Sequence, residues 1–400
     1  MSQDQSARAP DRKRVFFHIG APKTGTTYLQ HVLLQNQEAL AAASVLYPYD
    51  DHGQSFRSMQ DFRGAGWGSQ RATAFKGEWK TVADRAAQWS GSTVIVSNEL
   101  LGGASPDRIA AGVASVGPAE VHVIFSARDF ARQLVSDWQE HIKHKHQVTL
   151  ETFVDDLINL GFDAPAPFGE MFWGMHDAAY VLERWSAVVP AQRIHVVTLP
   201  PPGAPKDTLW RRFCQVTGLE ADAYDAVTSS SNPSMGVAET ELVRRMNADV
   251  QGMPPENYDP LVRVLLAEQV LGGQSPKLLL PPGRFDWVME RSRRLVSELE
   301  AAGYPVVGDL QELLPRAADH EGYVSPTELT DADLATAAIR AATGLLQHAG
   351  RQRRTIVELE SAANGIAPHA PAPRERVVEL YWRARGRVGK ILRRLGLLHR

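Results

Sequence analysis

The sequence predicts an α/β protein, a three-layer fold with a parallel sheet at its centre and a helical part after it. Three observations carry that expectation. Four short apolar runs, 15–19 (VFFHI), Thr93–Ser97 (TVIVS), 121–126 (VHVIFS) and Ile194–Thr198 (IHVVT), are separated by stretches with helical spacing. Continuous β-branched runs mark strands buried on both faces, and intervening helices supply that cover. The first run passes through a turn holding Gly20, Pro22 and Gly25 into an amphipathic helix, with Leu29, Val32, Leu33 and Leu40 near one face. Beyond residue 221 helical spacing dominates.

Taken in order, residues 1–13 read as a disordered lead-in and 14–221 as the α/β domain. Residues 45–49 and the polar segment 50–58 leave the first helix and cross the carboxyl edge of the sheet. Helices are expected at 79–89 and Pro106–Ser115, ahead of the second and third strands. A long region, 137–184, is rich in histidine and aromatic residues and helical in part. His141, His144 and His146 invite a metal-cluster reading. With no carboxylate on their face, a solvated helix near an anionic ligand is the better one. Phe168, Phe172 and Trp173, in the loop expected at 163–175, suit a lid over a substrate and a plug at the core edge equally well.

The segment 229–234 (SSSNPS) is a turn, followed by helices over 260–270, 286–301 and Asp331–Ala363. Residues 222–363 are taken as one helical part packed on the sheet domain. Residues 364–373 read as a stiff Pro/Ala linker. In 374–400, nine Arg/Lys against Glu375 and Glu379 give a net charge of +7. Val377, Tyr381, Ala384, Val388, Ile391 and Leu395 form an apolar seam there. A basic amphipathic helix of this form suits docking on its own domain, self-association or an anionic membrane surface.

Composition narrows the function. The net charge of −3 is unlike the strongly basic balance of a nucleic-acid binder. One cysteine, Cys214, excludes an internal disulfide. The lead-in lacks the apolar core of a signal peptide, and no run nears the ~18 apolar residues of a membrane span. A cytoplasmic setting follows as the expectation, with peripheral contact at the inner face of the membrane if the basic tail binds lipid.

The chemistry centres on 14–30 (RVFFHIGAPKTGTTYLQ). A helix start presents unpaired backbone N–H groups and the positive end of its dipole to an anion. Lys23 adds a full charge, and Thr24, Thr26 and Thr27 add hydroxyls. The nucleotide-type loop G-x-x-x-x-G-K-[ST] places its lysine directly after the second glycine. Here Thr26 follows Gly25, and the lysine stands inside the loop at position 23. The stretch PKTGTTYL resembles the 5′-phosphosulfate-binding loop of sulfotransferases that use 3′-phosphoadenosine 5′-phosphosulfate (PAPS). The resemblance extends over about residues 15–218. Arg128 and Ser136, in VIFSARDFARQLVSDW, resemble that family's Arg-x7-Ser motif for the 3′-phosphate. A guanidinium fork and a hydroxyl two helical turns on suit the two sides of one phosphate. No full match to the family's R-K-G-x-x-G segment is present, and Asn232, Pro233 and Ser234 are a short possible edge of the ligand site.

The resemblance implies PAPS as sulfuryl donor and no metal, with Pro22, Lys23, Thr24, Gly25, Thr26, Thr27, Arg128 and Ser136 binding it. It implies in-line transfer to an acceptor hydroxyl of a carbohydrate, glycolipid or other small molecule. Lys23 is the expected stabiliser of the leaving phosphate. For the general base, Glu99 comes first and His52 second; a structural or helix-capping carboxylate is the plain alternative for Glu99. Two other readings stand beside this one: a small-molecule kinase of the P-loop type, and a nucleotide-binding protein without catalysis.

Overall fold

The computed structural model describes residues 12–66, 71–227, 234–273 and 275–363. The lead-in, Asn232 and Pro233, the linker 364–373 and the basic segment 374–400 therefore lie outside the described residues, apart from residues 12 and 13. Residues 1–338 form one compact unit and 339–400 a second.

Six strands make one sheet: β1 (Arg14–His18), β2 (Val45–Leu46), β3 (Thr93–Ser97), β4 (Glu120–Ala127), β5 (Ile194–Thr198) and β6 (Val306–Val307). Their order is β2-β3-β1-β4-β5-β6, and every neighbouring pair is parallel. All five residues of β3 are buried, as are Val15, Phe16 and Phe17 of β1 and Val123, Ile124 and Phe125 of β4. This is the two-sided burial that the unbroken apolar runs anticipate. The sequence misses the two-residue edge strands because they are too short for any periodicity. β6 shows that the stretch after residue 221 is not wholly helical.

The helices of the sheet region are α1 (Thr26–Gln35), α2 (Gln37–Ala42), α3 (His52–Arg63), α4 (Glu78–Gln88), α5 (Pro106–Ser115), α6 (Phe130–Lys143), α7 (Leu150–Leu160), α8 (Phe168–His176), α9 (Ala178–Ser186) and α10 (Thr208–Thr217). The chain breaks at Asn36, so Leu40 sits on α2 and not on the face of α1. Asp51 caps α3 by accepting the Gln54 N–H at 2.7 Å, so the polar segment is helical from residue 52.

After residue 221 come α11 (Val237–Asp249), α12 (Pro255–Tyr258), a wide π-helical stretch (Asp259–Val270), α13 (Phe285–Ala302) and α14 (Asp331–Ala363). The first of these pack on the sheet region through buried polar anchors. Asn247 on α11 donates to the carbonyls of Ile142 (2.8 Å) and His146 (2.9 Å), and Gln139 on α6 donates to the Met235 carbonyl (2.9 Å). Arg291 on α13 pairs with Asp177 and lies over the Phe130 ring.

β1 lies between β3 and β4, so the chain turns to opposite sides of it. In such sheets the crevice beyond the carboxyl ends of the strands is where ligands bind. His18, fully buried at the end of β1, spans the point: its ring nitrogens meet Ser97 Oγ at 2.8 Å and Ser126 Oγ at 3.0 Å. Burial pushes its pKa down to about 3, so it is a neutral brace between three strand ends.

Candidate functional site

The loop after β1 is shaped by two positive-φ glycines and one lysine. Gly20 (φ 113°) passes so close to Glu99 that a Cβ there would meet the Glu99 Cβ at 3.3 Å. At Gly25 (φ 82°) a Cβ would stand 2.5 Å from Leu209, so both positions require glycine. Lys23 takes the left-handed conformation (φ 62°) between them. Gly25 is the N-cap of α1, and no side chain caps that helix. The N–H groups of its first turn thus lack intrahelical partners. Side chains from the next strand and helix buttress the loop: Gln133 donates to the Pro22 carbonyl (3.0 Å) and Arg128 Nη1 to the Lys23 carbonyl (3.1 Å).

A cavity of about 1010 Å³ opens beside the loop. Pro22, Lys23, Gly25, Thr26, Thr27, His52 and Glu99 all line it, so three separated stretches meet there. Thr24, Arg128 and Ser136 are not on its wall. The Thr24 hydroxyl donates to the Ala21 carbonyl (2.6 Å) and holds the loop, leaving only its backbone for a ligand. Arg128 Nη1 also donates to Ser136 Oγ at 3.2 Å, which brings the Arg-x7-Ser pair together and ties it to the back of the loop. Arg128 Nε is buried without a partner, and burial draws the guanidinium pKa down to about 10.

Glu99 follows the Asn98 cap of a short turn and accepts a hydrogen bond from Gln30 Nε2 at 2.9 Å. His52 lies 4.2 Å, centroid to centroid, from His31. Its Nε2 is buried without a hydrogen bond. Burial and the neighbouring His31 lower its pKa, against the pull of Asp51 and Glu99. Neutral His52 is therefore able to accept a proton.

The opposite wall comes from the helices, and sequence reasoning passed it over. Asp137, Glu140, His141 and His144 share one face of α6 because residues three and four apart are neighbours on a helix. This corrects the expectation of a solvated histidine face without carboxylates: the acids stand one turn before the histidines, and His141 is only 5% exposed. Lys23 Nζ reaches across to Glu140 at 2.9 Å, and Lys143 and His144 approach the same carboxylate at 3.3 and 3.5 Å. Burial alone would lower the Lys23 ammonium, but Glu140, with Asp137 behind it, more than offsets that and raises its pKa. Burial likewise works against ionised Glu140, yet Lys23, His144 and Lys143 hold its carboxyl well below the ordinary glutamate value.

Asp137 sits between two imidazoles. His176 Nε2 donates to its Oδ1 at 3.2 Å, while His141 Nε2 lies 3.4 Å from its Oδ2. Gln133, which holds the Pro22 carbonyl, also bonds His176 Nδ1 and so links this cluster to the loop. Burial opposes the Asp137 charge, but His176 and His141 together depress its pKa. Among the described residues, no group of three or more His, Cys, Asp or Glu is arranged to hold a metal ion.

Phe168, Phe172 and Trp173 lie on α8 and are buried against Phe130 and Phe153, which is the plug arrangement. It is Met171 and Met175 of that helix that line the cavity, together with Met253, Tyr258, Asp259 and Arg263 from the part after residue 221. Ser234 lines it as well. No described helix is long and apolar enough to cross a membrane.

No protein-family model matches the sequence, and no curated protein does. Among solved structures, the crystal structure of a sulfotransferase from Alicyclobacillus acidocaldarius is similar at 13% identity and a TM-score of 0.37. That match covers 64% of this chain and 96% of the other. A likeness at that level carries no weight beyond the geometry described above.

Proposed function

We propose that this chain is a PAPS-dependent sulfotransferase, moving a sulfuryl group to a hydroxyl of a carbohydrate, glycolipid or other small acceptor. The observation that carries this reading is the position of Arg128. One guanidinium nitrogen bonds both Ser136 Oγ and the Lys23 carbonyl, which joins the two motifs that resemble the 3′- and 5′-phosphate sites. The donor sets fit such a ligand. The first turn of α1 is uncapped, which suits a phosphate at a helix start; Arg128 stands behind the loop, off the cavity wall, with its Nε buried without a partner.

PAPS, when bound, supplies the sulfuryl group and leaves as a bisphosphate. Pro22 to Thr27 would hold its 5′ end, and Arg128 with Ser136 its 3′-phosphate. Lys23 supports the negative charge that collects on the leaving phosphate, a task that needs a fixed cation at the point where charge develops. Glu99, beside the loop, is our first choice to take the acceptor proton, with His52 next to it. The Asp137–His141 pair is an alternative base on the facing wall, its carboxylate stabilising the imidazolium that would form.

The kinase reading is disfavoured by the lysine's place inside the loop, at position 23 and not directly after Gly25. A screen of hydroxyl acceptors with sulfur-labelled PAPS tests the proposal. Transfer that persists in EDTA supports it. Transfer of phosphate from ATP with a strict magnesium requirement replaces it with the kinase. Binding of 3′,5′-bisphosphate without turnover on any acceptor points to a protein that has lost catalysis.

A further inference from the structure

Gln133, Asp137 and His141 stand at steps of four on α6, so their side chains form one stripe along the helix. His176, the last residue of α8, inserts against that stripe and meets both Gln133 and Asp137. No more than 7% of any of the four is exposed. At that burial a donor facing a donor, or an acceptor facing an acceptor, is costly. The protons of the set can therefore be read from its one unambiguous end.

That end is the loop. Pro22 has a carbonyl and no N–H, so the Gln133 atom 3.0 Å from its oxygen is the amide nitrogen. Gln133 Oε1 is buried without a partner, but turning the amide over would set that oxygen against the Pro22 carbonyl. The same nitrogen meets His176 Nδ1. It can only donate, so Nδ1 carries the lone pair and Nε2 the proton. His176 Nε2 then donates to Asp137 Oδ1 at 3.2 Å. Asp137 Oδ2 and His141 Nε2 are buried 3.4 Å apart, and neither has another partner among the described residues. A lone pair on that nitrogen would face the carboxylate, so the proton belongs on Nε2 and the lone pair on Nδ1. Phe153 and Phe168, with ring centroids 5.6 and 4.8 Å from that of His141, hold the plane of the ring. His141 itself lies on the cavity wall.

We propose that Gln133 and His176 are positioning residues. They fix Asp137 so that His141 keeps its proton on Nε2 and offers Nδ1 to a hydroxyl of the acceptor. Gln133 ties this arrangement to the donor loop through Pro22. The acceptor rests on the sulfotransferase reading; the proton positions do not. Heteronuclear NMR on the full chain carrying isotope-labelled histidine, at about pH 8 and so above the ordinary histidine range, reads those positions directly. His141→Gln and His176→Gln identify the two sets of signals. Both rings should show the proton on Nε2 and the lone pair on Nδ1. Either ring with a proton on Nδ1 overturns the proposal. In Gln133→Leu the His176 signals should become those of a tautomer mixture, and an unchanged pattern would mean that Gln133 sets nothing.

Turnover gives the second readout. Gln133→Leu and His176→Leu should each lower it by about tenfold, the scale of one hydrogen bond to a charged group. The double variant should lose no more than the worse single one, because both act on one chain of bonds. Losses that multiply would make them two independent packing defects and overturn the link. His176→Gln, whose amide can still donate to Asp137, should recover most of the loss. Equal impairment of His176→Gln and His176→Leu would deny the ring its role as donor. A wild type inert toward PAPS, with the proton positions as expected, would sink the sulfotransferase reading and leave the tautomer assignment standing.

Discussion

The two walls of the cavity are built on different physical terms. The loop wall is backbone at the carboxyl edge of the sheet: an uncapped helix start, two constrained glycines and a lysine in the left-handed region. The helical wall is a set of acid–imidazole and acid–lysine contacts on α6 and α8, set by packing against α11. The first wall offers donors to an anion. The second offers proton acceptors and the counter-charge for Lys23. A reaction that transfers an anionic group to a hydroxyl needs both, and the difference shows that local chain geometry supplies one while tertiary contact supplies the other.

Which wall takes the acceptor proton is the sharpest test of that division. Loss of a positioned general base lowers turnover by roughly a hundred- to ten-thousandfold. We expect Glu99→Gln to show that loss, with binding of 3′,5′-bisphosphate retained in calorimetry. If His141→Ala is the variant that fails, and free imidazole restores it, proton transfer belongs to the helical wall. Lys23→Ala comes next. Removing one preorganised charge donor should lower turnover by about a hundredfold or more, while donor affinity falls far less.

Arg128→Ala should weaken PAPS binding by roughly ten- to several-hundredfold, the scale of charged hydrogen bonds worth about 1.5–3 kcal/mol each. Affinity for adenosine 5′-phosphosulfate, which lacks the 3′-phosphate, should barely move. Equal weakening of both would mean that Arg128 serves the loop through the Lys23 carbonyl and not the ligand. Ser136→Ala should cost less, since it removes a single neutral donor.

The smallest expected effect concerns acid stability. Glu140 ionises more readily in the folded chain than its ordinary value of 4.5 allows. Its contribution is present above that value and is lost as pH falls through the depressed folded pKa. Glu140→Gln should therefore lower Tm by a few degrees near neutrality and flatten the fall in Tm between pH 5 and the acid limit, as read by scanning calorimetry. A Tm profile parallel to that of the wild type would show that the Lys23–Glu140 pair contributes nothing to folding.

The sequence by itself determined the four longer strands of the sheet and the loop. Thr93–Ser97 and Ile194–Thr198 appear as strands with the bounds their apolar runs indicate, because burial on both faces leaves an unbroken hydrophobic record. The loop was legible for the same kind of reason, since Gly20, Lys23, Gly25 and the start of α1 lie within a few residues of one another. Tertiary structure alone decided the rest. Asp137, Glu140 and His141 look like one amphipathic turn among many, and Met253 and Tyr258 like packing residues. Their joint presence in one cavity depends on where α8, α11 and the segments after residue 221 fold against α6. Those contacts to α6 join residues 39 to 116 positions apart, and a linear pattern records no distance of that kind.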